Sequence, residues 1–210
     1  GEAQCHVAAF HPTRRHEVLL GTTGGLWSST DGGRHWQRVL SNLPHHAVRD
    51  VVIGSQDPFR VYALTDGGLF GSVGALDRWE RLFESFSAEE ETAEDAEEPS
   101  EDTEPLSADS RRLTSVALDP HDPATVYLAT SEGLVVSHDH GATWERISPA
   151  GGGAAAIRHL AVQAHSPTVA YAATSQGVAR YHSQEQRWEL LYAGLPTQGV
   201  NFVATTEAKV

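Results

Sequence analysis

The side chains of this sequence best suited to binding chemistry are arginines and histidines near the starts of short apolar segments. A guanidinium binds a carboxylate or a phosphate through two parallel hydrogen bonds. A cluster of such groups could therefore hold an anionic ligand. The candidates, with one amide beside them, are His6, His45, His46, Arg49, Arg111, Arg112, Arg158, His159 and Asn201.

A catalytic constellation is not indicated. The carboxylates that could form a general acid and base pair are Asp50, Asp66 and Glu132. The last two lie in turns beside a glycine, where polar residues are ordinary. We therefore assign no catalytic residue and no cofactor.

Metal binding is not indicated either. The segment His138-Asp139-His140 alternates possible ligands, but it lies in a hairpin turn and is interpreted as a solvated turn. His45 and His46 lack further spaced ligands. We assign no metal site.

The charge of the chain is uneven. Its formal net charge is −13, but residues 88–104 hold ten of the 28 acidic residues, and the remainder has 18 acidic against 15 basic residues. Residues 85–110 are predicted to be a disordered acidic insertion. The overall sign argues against nucleic-acid binding, which needs a clustered basic surface. No stretch approaches the roughly 18 consecutive apolar residues of a membrane helix, so no membrane insertion is predicted.

An internal repeat organises the rest of the chain. Tryptophans anchor four copies: Trp36, Trp79, Trp144 and Trp188. Eleven residues before each stands a glycine: Gly25, Gly68, Gly133 and Gly177. Thirty-one residues before each stands a small or aliphatic residue: Cys5, Val48, Leu113 and Ile157. The four units align without a gap.

Each unit predicts four short strands, because runs of Val, Ala, Leu and Tyr are bounded by Gly, Pro, Asp and Ser. Repeats of about 40–50 residues with four strands indicate stacked propeller blades. The sequence therefore predicts an all-β fold of four-stranded antiparallel blades in one domain, 1–210. The predicted blades cover 5–41, 48–84, 113–148 and 157–193, and a fifth first strand covers 200–206.

Two of the turns resemble a known motif. Ser29, Asp31, Gly33 and Trp36, and likewise Ser137, Asp139, Gly141 and Trp144, match the Asp box S-x-D-x-G-x-x-W. The chain thus resembles the BNR-repeat β-propellers of the sialidase superfamily fold, which include sialidases, xyloglucanases, sortilin-type receptors and photosystem II assembly factors. The resemblance is closest in style to the non-catalytic sortilin-type and assembly-factor-type members, and it favours an extracytoplasmic location.

The resemblance implies that the Asp-box residues are structural and not catalytic. The second copy has Gly74 and Leu76 in place of Asp and Gly, and the fourth keeps only Trp188. We expect the hairpins of those two blades to be held by packing alone.

The sequence does not decide whether the blades close into a ring. An open array of blades would expose apolar faces and sheet edges. The preferred interpretation is a part of a larger propeller, or a half that closes with a second copy. The alternative is a small self-contained ring in which 200–206 is the closing strand.

Residue types shared by equivalent repeat positions are interpreted as scaffold. Tyr62, Tyr127 and Tyr171 share one position and are expected in the core. Cys5 shares its position with Val48 and is expected to be a buried apolar residue.

The second position of each first strand is polar throughout: His6, Arg49, Thr114, Arg158 and Asn201. All length variation lies in the connectors between blades, which are expected to share one face with the glycine turns. Variable loops on a rigid scaffold are where binding usually resides. First strands of a propeller line its central channel, so these polar residues could form a ring there. Two other interpretations stay open. The ring only solvates the mouth of the channel, or Arg111 and Arg112 pair with the acidic segment.

The sequence therefore predicts a non-catalytic binding or scaffold module that recognises a protein or peptide partner through this loop-rich face. The alternative is a fragment of a sialidase-like or xyloglucanase-like glycoside hydrolase. A sialidase needs three arginines, a Tyr–Glu pair and an acid/base Asp. Arg49, Arg158 and one of Arg111 or Arg112 could supply the arginines, but no tyrosine outside the repeat positions lies near them.

Overall fold

A computed structural model describes residues 4–44, 47–56, 58–84, 112–147, 156–163, 168–191 and 199–205 of the 210-residue chain. These residues form sixteen strands in four antiparallel sheets of four strands each. Each sheet is built from strands consecutive in sequence, and we call the sheets blades 1 to 4. The predicted all-β fold of four-stranded antiparallel blades is confirmed.

Each blade runs from its first to its fourth strand in chain order. Blade 1 contains β1 (Cys5–Phe10), β2 (Val18–Thr22), β3 (Gly25–Ser29) and β4 (Gln37–Arg38). Blade 2 contains β5 (Val48–Ile53), β6 (Arg60–Thr65), β7 (Gly68–Val73) and β8 (Glu80–Glu84). Blade 3 contains β9 (Leu113–Leu118), β10 (Val126–Thr130), β11 (Gly133–Ser137) and β12 (Glu145–Ile147). Blade 4 contains β13 (Ile157–Gln163), β14 (Val169–Thr174), β15 (Gly177–His182) and β16 (Arg187–Leu191).

The turn between the second and third strands has the same construction in every blade. In blade 2 the Thr65 hydroxyl donates to the carbonyl of Gly68 at 3.1 Å. Gly68 has φ +131°, and a Cβ at this position would lie 2.2 Å from the carbonyl oxygen of Phe83. The left-handed backbone therefore favours the glycine in every blade, and in blade 2 the fourth strand also leaves no room for a Cβ.

The core lies between the blades. Leu19 and Leu26 of blade 1 pack with Val48, Val51 and Val61 of blade 2, and equivalent clusters join blade 2 to blade 3 and blade 3 to blade 4. We call the face of a blade that meets the preceding blade its leading face, and the opposite one its trailing face. Because both faces of blades 2 and 3 are covered, their second strands are apolar on both sides.

The leading face of blade 1 has no described blade against it, and this corrects one expectation. Val48 at the head of β5 is 0% exposed, whereas Cys5 at the same repeat position is exposed. Phe10, at the end of β1, is 70% exposed. The prediction that Cys5 is buried was wrong because the repeat position is covered by a preceding blade, which blade 1 lacks among the described residues.

The predicted fifth strand, 200–206, differs from the structure. Residues 200–205 form no strand, while Thr206 lies outside the described residues. Instead, the segment contacts β13: the Thr205 hydroxyl donates to the carbonyl of Val162 at 3.1 Å, and Phe202 stacks on His159 with ring centroids 4.1 Å apart. The segment thus occupies the place of a next first strand but pairs with no second strand among the described residues. The predicted acidic insertion, 85–110, also lies outside them.

Within the described ranges, no helix has the length and apolar character needed to cross a membrane.

Candidate functional site

A β-bulge occurs at the second residue of every first strand. In blade 2, Val48 pairs with Thr65 and Asp50 pairs with Leu64, so the ladder skips Arg49. The other three first strands skip the equivalent residues, which are His6, Thr114 and Arg158. A bulge leaves its extra residue out of the ladder and redirects its side chain. The polar second position found in the sequence is therefore the bulge position, and we call these residues with Asn201 the bulge row.

The bulge row lies at the end of the blades that also carries the glycine turns. The amide of Thr23 donates to the carbonyl of Gln4 at 3.0 Å, and the amide of Ser131 donates to the carbonyl of Arg112 at 2.9 Å. The amide of Val200 likewise donates to the carbonyl of Thr174 at 2.9 Å. The start of each first strand and the neighbouring turn thus form one surface, the loop-rich face.

Neighbouring members of the bulge row contact one another or the next strand. The Thr114 hydroxyl donates to the carbonyl of Ile157 at 2.6 Å, and Arg158 Nη1 donates to Asn201 Oδ1 at 2.6 Å. His6, Arg49, Arg158 and Asn201 are exposed. The structure therefore places His6, Arg49 and Arg158 along one row of first strands, with Asn201 beside Arg158 in the segment 199–205.

The charges of this face are only partly balanced. Arg49 forms an ion pair with Asp66 of the adjacent turn, and Glu132 of the next turn pairs with Arg146 at 2.8 Å. Arg112 and Arg158 have no carboxylate partner among the described residues. The predicted candidates His45, His46 and Arg111 lie outside the described residues. The described part of the face thus holds two uncompensated guanidiniums.

A shallow apolar depression of about 230 Å³ lies beside the first of these turns. Its lining is mostly apolar but includes one guanidinium and one hydroxyl, and consists of Gly25, Leu26, Arg38, Val39, Leu40, Ser41, Leu43 and Pro44. Leu40 is 83% exposed. Leu40 and the depression together give the loop-rich face an apolar contact surface in addition to its arginines.

A hydrogen-bonded clasp joins blades 2, 3 and 4 behind the bulge row. The Asp50 carboxylate accepts from the Ser115 hydroxyl at 2.9 Å and from the Val116 amide at 3.0 Å. The Ser115 hydroxyl oxygen in turn accepts from the Leu160 amide at 3.3 Å. Burial raises the pKa of Asp50, although these hydrogen bonds oppose the shift. The sequence did not predict the clasp, because its members differ from blade to blade and no repeated pattern marks them.

The remaining binding candidate, His159, lies near the clasp and is not part of the bulge row. It packs against Phe202, and burial lowers the pKa of its imidazole while the nearby charge of Asp50 opposes the shift. Its Nδ1 is buried without a hydrogen-bond partner among the described residues. His159 is therefore not assigned to the surface that would contact a ligand.

The three carboxylates considered for catalysis all have structural contacts. Asp50 is largely buried in the clasp, Asp66 pairs with Arg49, and Glu132 pairs with Arg146. A general acid and base pair needs two carboxyl groups that face one substrate bond. These three carboxylates are instead held by neighbours of their own blades and of the next blade.

The hairpins that match the Asp box are closed by side-chain hydrogen bonds. Asp139 Oδ1 accepts from the Thr143 amide and the Ser137 hydroxyl, both at 2.8 Å, and Oδ2 accepts from the Thr143 hydroxyl at 2.6 Å. The Thr143 hydroxyl contributes most to holding the pKa of Asp139 at about 2. Asp31 likewise accepts from the amides of Arg34 and His35, each at 3.0 Å.

The tryptophan of the box also joins neighbouring blades. Trp144 Nε1 lies 3.0 Å from the carbonyl of Gly141, in its own hairpin, and 3.1 Å from that of Leu82 in blade 2. Its ring meets Phe83 edge-on, with centroids 5.4 Å apart. In blade 1, the indole of Trp36 stands over its own turn, since a Cβ on Gly33 would lie 3.3 Å from it.

The hairpin of blade 2 is not held by packing alone, contrary to expectation. The Ser72 hydroxyl lies 2.6 Å from the carbonyl of Arg78, and Trp79 Nε1 donates to the carbonyl of Leu76 at 2.9 Å. The serine can close the turn without the aspartate because backbone carbonyls replace the carboxylate as acceptors. In blade 4, Tyr181 and Trp188 stack with centroids 5.2 Å apart.

The alternating His138-Asp139-His140 segment has ordinary turn contacts. His138 Nδ1 lies 2.9 Å from the Thr125 hydroxyl, and His140 has φ +63°. No group of three or more side chains able to bind a metal occurs within the described ranges.

No protein-family model and no curated protein matches the chain. Solved structures do resemble it. An ancestral GH74 enzyme superposes with a TM-score of 0.66 at 17% identity over 93% of this chain. YCF48 bound to D1 peptide superposes with a TM-score of 0.54 at 15% identity over 89%, and a chain of a nidogen/laminin complex with a TM-score of 0.66 at 9% identity over 96%. This chain has the β-propeller fold.

The chain is much shorter than several of these structures. It spans 26% of the GH74 enzyme, 54% of YCF48 and 68% of the matched chain of the nidogen/laminin complex. At these identities the likeness establishes the fold alone.

Proposed function

We propose that the chain is a non-catalytic binding module that recognises a protein or peptide partner through its loop-rich face. The observation that carries the proposal is the bulge row, where adjacent first strands present polar side chains outside their ladders on one face. The strands hold the backbone of these residues, so little backbone entropy is lost when a partner binds.

The chemistry of the face favours a partner that carries a carboxylate. Arg112 and Arg158 have no described acidic partner, whereas the acids of the neighbouring turns are already paired. Leu40 and the depression beside it offer an apolar contact for a neighbouring side chain of the partner. An acidic peptide with one apolar side chain would satisfy both.

Two of the structural relatives support a protein or peptide partner. One is YCF48 bound to D1 peptide, and another lies in a nidogen/laminin complex. The glycoside hydrolase alternative gains nothing from the site, because its candidate carboxylates are held in the clasp and in ion pairs. We also propose that further blades or a second copy pack on the leading face of blade 1, which no described blade covers.

The test is a screen of immobilised peptides with acidic side chains or a free C-terminal carboxylate, probed with the purified chain. Arg158→Ala is expected to weaken binding of the selected peptide about tenfold, the loss typical of one hydrogen bond to a charged group. The effect should shrink as salt is raised. Arg187→Ala is the control. Arg187 begins the fourth strand of blade 4 and is exposed, but it forms an ion pair with Glu185.

An equal loss in both variants, or no selected peptide at all, would contradict a carboxylate-binding face. Turnover of chromogenic glycosides by the chain would contradict the non-catalytic assignment.

A further inference from the structure

Blades 2 and 4 both carry an arginine at the bulge position, but the two guanidiniums have different partners. Arg49 of blade 2 forms an ion pair with Asp66, the first residue after strand β6. In blade 4 the first residue after the second strand is Ser175, which offers no carboxylate. Arg158 donates instead to the amide oxygen of Asn201 at 2.6 Å. The two arginines thus share a place in the repeat and differ in how their charge is balanced.

The guanidinium of Arg158 lies beside a glycine that leaves room for it. A Cβ at Gly199 would lie 3.3 Å from Nη1 of Arg158 and 3.7 Å from the carbonyl oxygen of Ser175. Arg158 and Ser175 therefore border the same small residue. The amide of Val200 donates to the carbonyl of Thr174 at 2.9 Å, which joins the segment after blade 4 to the glycine turn of that blade.

An amide and a carboxylate affect the charge of a guanidinium differently. A guanidinium has five N–H donors, and Asn201 accepts from one nitrogen without neutralising the group. Arg158 is exposed, and no carboxylate lies within ion-pair distance of it in the described part of the chain. The charge of Arg49, by contrast, is already balanced by Asp66. A ligand carboxylate is therefore attracted to Arg158 more strongly than to Arg49.

We propose that Arg158 is the arginine of the bulge row that binds a carboxylate of an acidic peptide, and that Asn201 positions its guanidinium. We further propose that the first residue after the second strand decides whether the arginine of a blade can bind. The inference rests on the proposed function and deepens it. Because Asn201 already restricts the guanidinium, less side-chain entropy is lost when the carboxylate binds.

Ser175→Asp tests the assignment, because it gives Arg158 the carboxylate that Arg49 already has. It should weaken binding of the peptide selected in the screen about tenfold, the loss typical of a hydrogen bond to a charged group. Calorimetric titration of the purified full chain at low salt measures the affinity, and the thermal midpoint checks folding. Undiminished peptide binding by a folded Ser175→Asp chain would overturn the inference.

Asp66→Ser is the converse change, and it is made in the Ser175→Asp background. It leaves Arg49 without its carboxylate, so the double variant should recover binding about threefold relative to Ser175→Asp, the gain typical of an exposed charge pair. Affinity that stays at the level of Ser175→Asp would contradict the role assigned to the turn residue.

Thr23→Asp is the matched control for the added negative charge. Thr23 is the exposed residue at the same turn position of blade 1, where the bulge residue is His6 and not an arginine. This variant leaves Arg158 without a carboxylate partner, so the peptide should bind nearly as it does to the wild-type chain. An equal loss in Thr23→Asp and Ser175→Asp would show general repulsion of the acidic peptide and would overturn the local pairing.

Asn201→Ala tests the positioning role. The charge of Arg158 remains, so the salt dependence of the affinity should be retained while the affinity falls about threefold, as for loss of one modest hydrogen bond. The thermal midpoint should match that of the wild-type chain, because Asn201 is exposed. Unchanged affinity, or a loss that follows a lower thermal midpoint, would contradict positioning.

Failure of this inference differs from failure of the proposed function. A peptide that binds the wild-type chain and Ser175→Asp equally well leaves the loop-rich face as a binding surface but removes Arg158 from it. A wild-type chain that binds no acidic peptide contradicts both.

Discussion

Blades 1 and 3 carry a leucine at the same repeat position of their second strands, yet the two side chains have different environments. Leu128 is 0% exposed in the cluster between blades 2 and 3. Leu20 is only half-buried, because no described blade precedes blade 1. The repeat therefore determines which face a side chain belongs to, and the neighbouring blade determines whether that side chain is buried.

The largest effect that would test this comparison is the loss of stability on truncating the two leucines. Leu128→Ala removes apolar atoms from a filled core and should lower the free energy of unfolding by about 2–5 kcal/mol. Leu20→Ala should cost roughly half of that or less, because less apolar surface is buried there. Chemical denaturation of both variants measures the difference. Equal losses would show that blade 1 is covered as fully as blade 3.

The hairpins of blades 2 and 3 form a second comparison. The blade 3 hairpin is closed by the Asp139 carboxylate, and the blade 2 hairpin by the Ser72 hydroxyl and backbone carbonyls. A hairpin closed by a carboxylate loses that contact when the carboxylate is protonated, whereas a hairpin closed by a hydroxyl does not titrate. The two hairpins should therefore respond differently to acid.

Asp139→Asn sharpens that comparison. The pKa of Asp139 is about 2 in the folded chain, against an ordinary value of 3.8. Because the folded pKa is the lower one, its stabilisation is present above pH 3.8 and is lost as the pH falls toward 2. Asp139→Asn should lower stability at neutral pH and flatten this acid dependence. Stability measured from pH 7 to pH 2 tests it.

Asp77→Asn provides the matched control in the blade 2 hairpin. Asp77 is exposed and accepts no hydrogen bond among the described contacts. An acid profile altered as much by Asp77→Asn as by Asp139→Asn would contradict the assignment of the acid response to blade 3.

The blade architecture could be predicted from the sequence because its causes repeat. The glycine at φ +131° and the tryptophan that covers the hairpin are needed in each copy by the same backbone and packing constraints, so Gly68 and Trp79 mark the register directly. The bulge row was also visible, since the residue left out of the ladder is polar in each blade.

The remaining features depend on contacts between blades, which no repeated pattern encodes. The clasp combines Asp50 of blade 2 with Ser115 of blade 3, and these occupy the same repeat position with different residue types. Gly54 stands where blade 3 has Asp119, so the Tyr62 hydroxyl has no acceptor there among the described residues, and only a comparison of the contacts in the two blades identifies this. Cys5 was misjudged for the same reason, because its burial depends on a neighbour and not on its own position.

The thiol of Cys5 provides the most direct test that burial follows the neighbouring blade. Cys5 is the single cysteine of the chain and is exposed on the leading face of blade 1. The chain is diluted until its solution mass is that of one chain. Under these conditions the Cys5 thiol should react with a thiol reagent nearly as fast in the native chain as in denaturant. Val48→Cys in a Cys5→Ser background places the thiol at the equivalent, fully buried position of blade 2 and should be protected. If native Cys5 were protected as strongly as Val48→Cys, the leading face of blade 1 would be covered and the account contradicted.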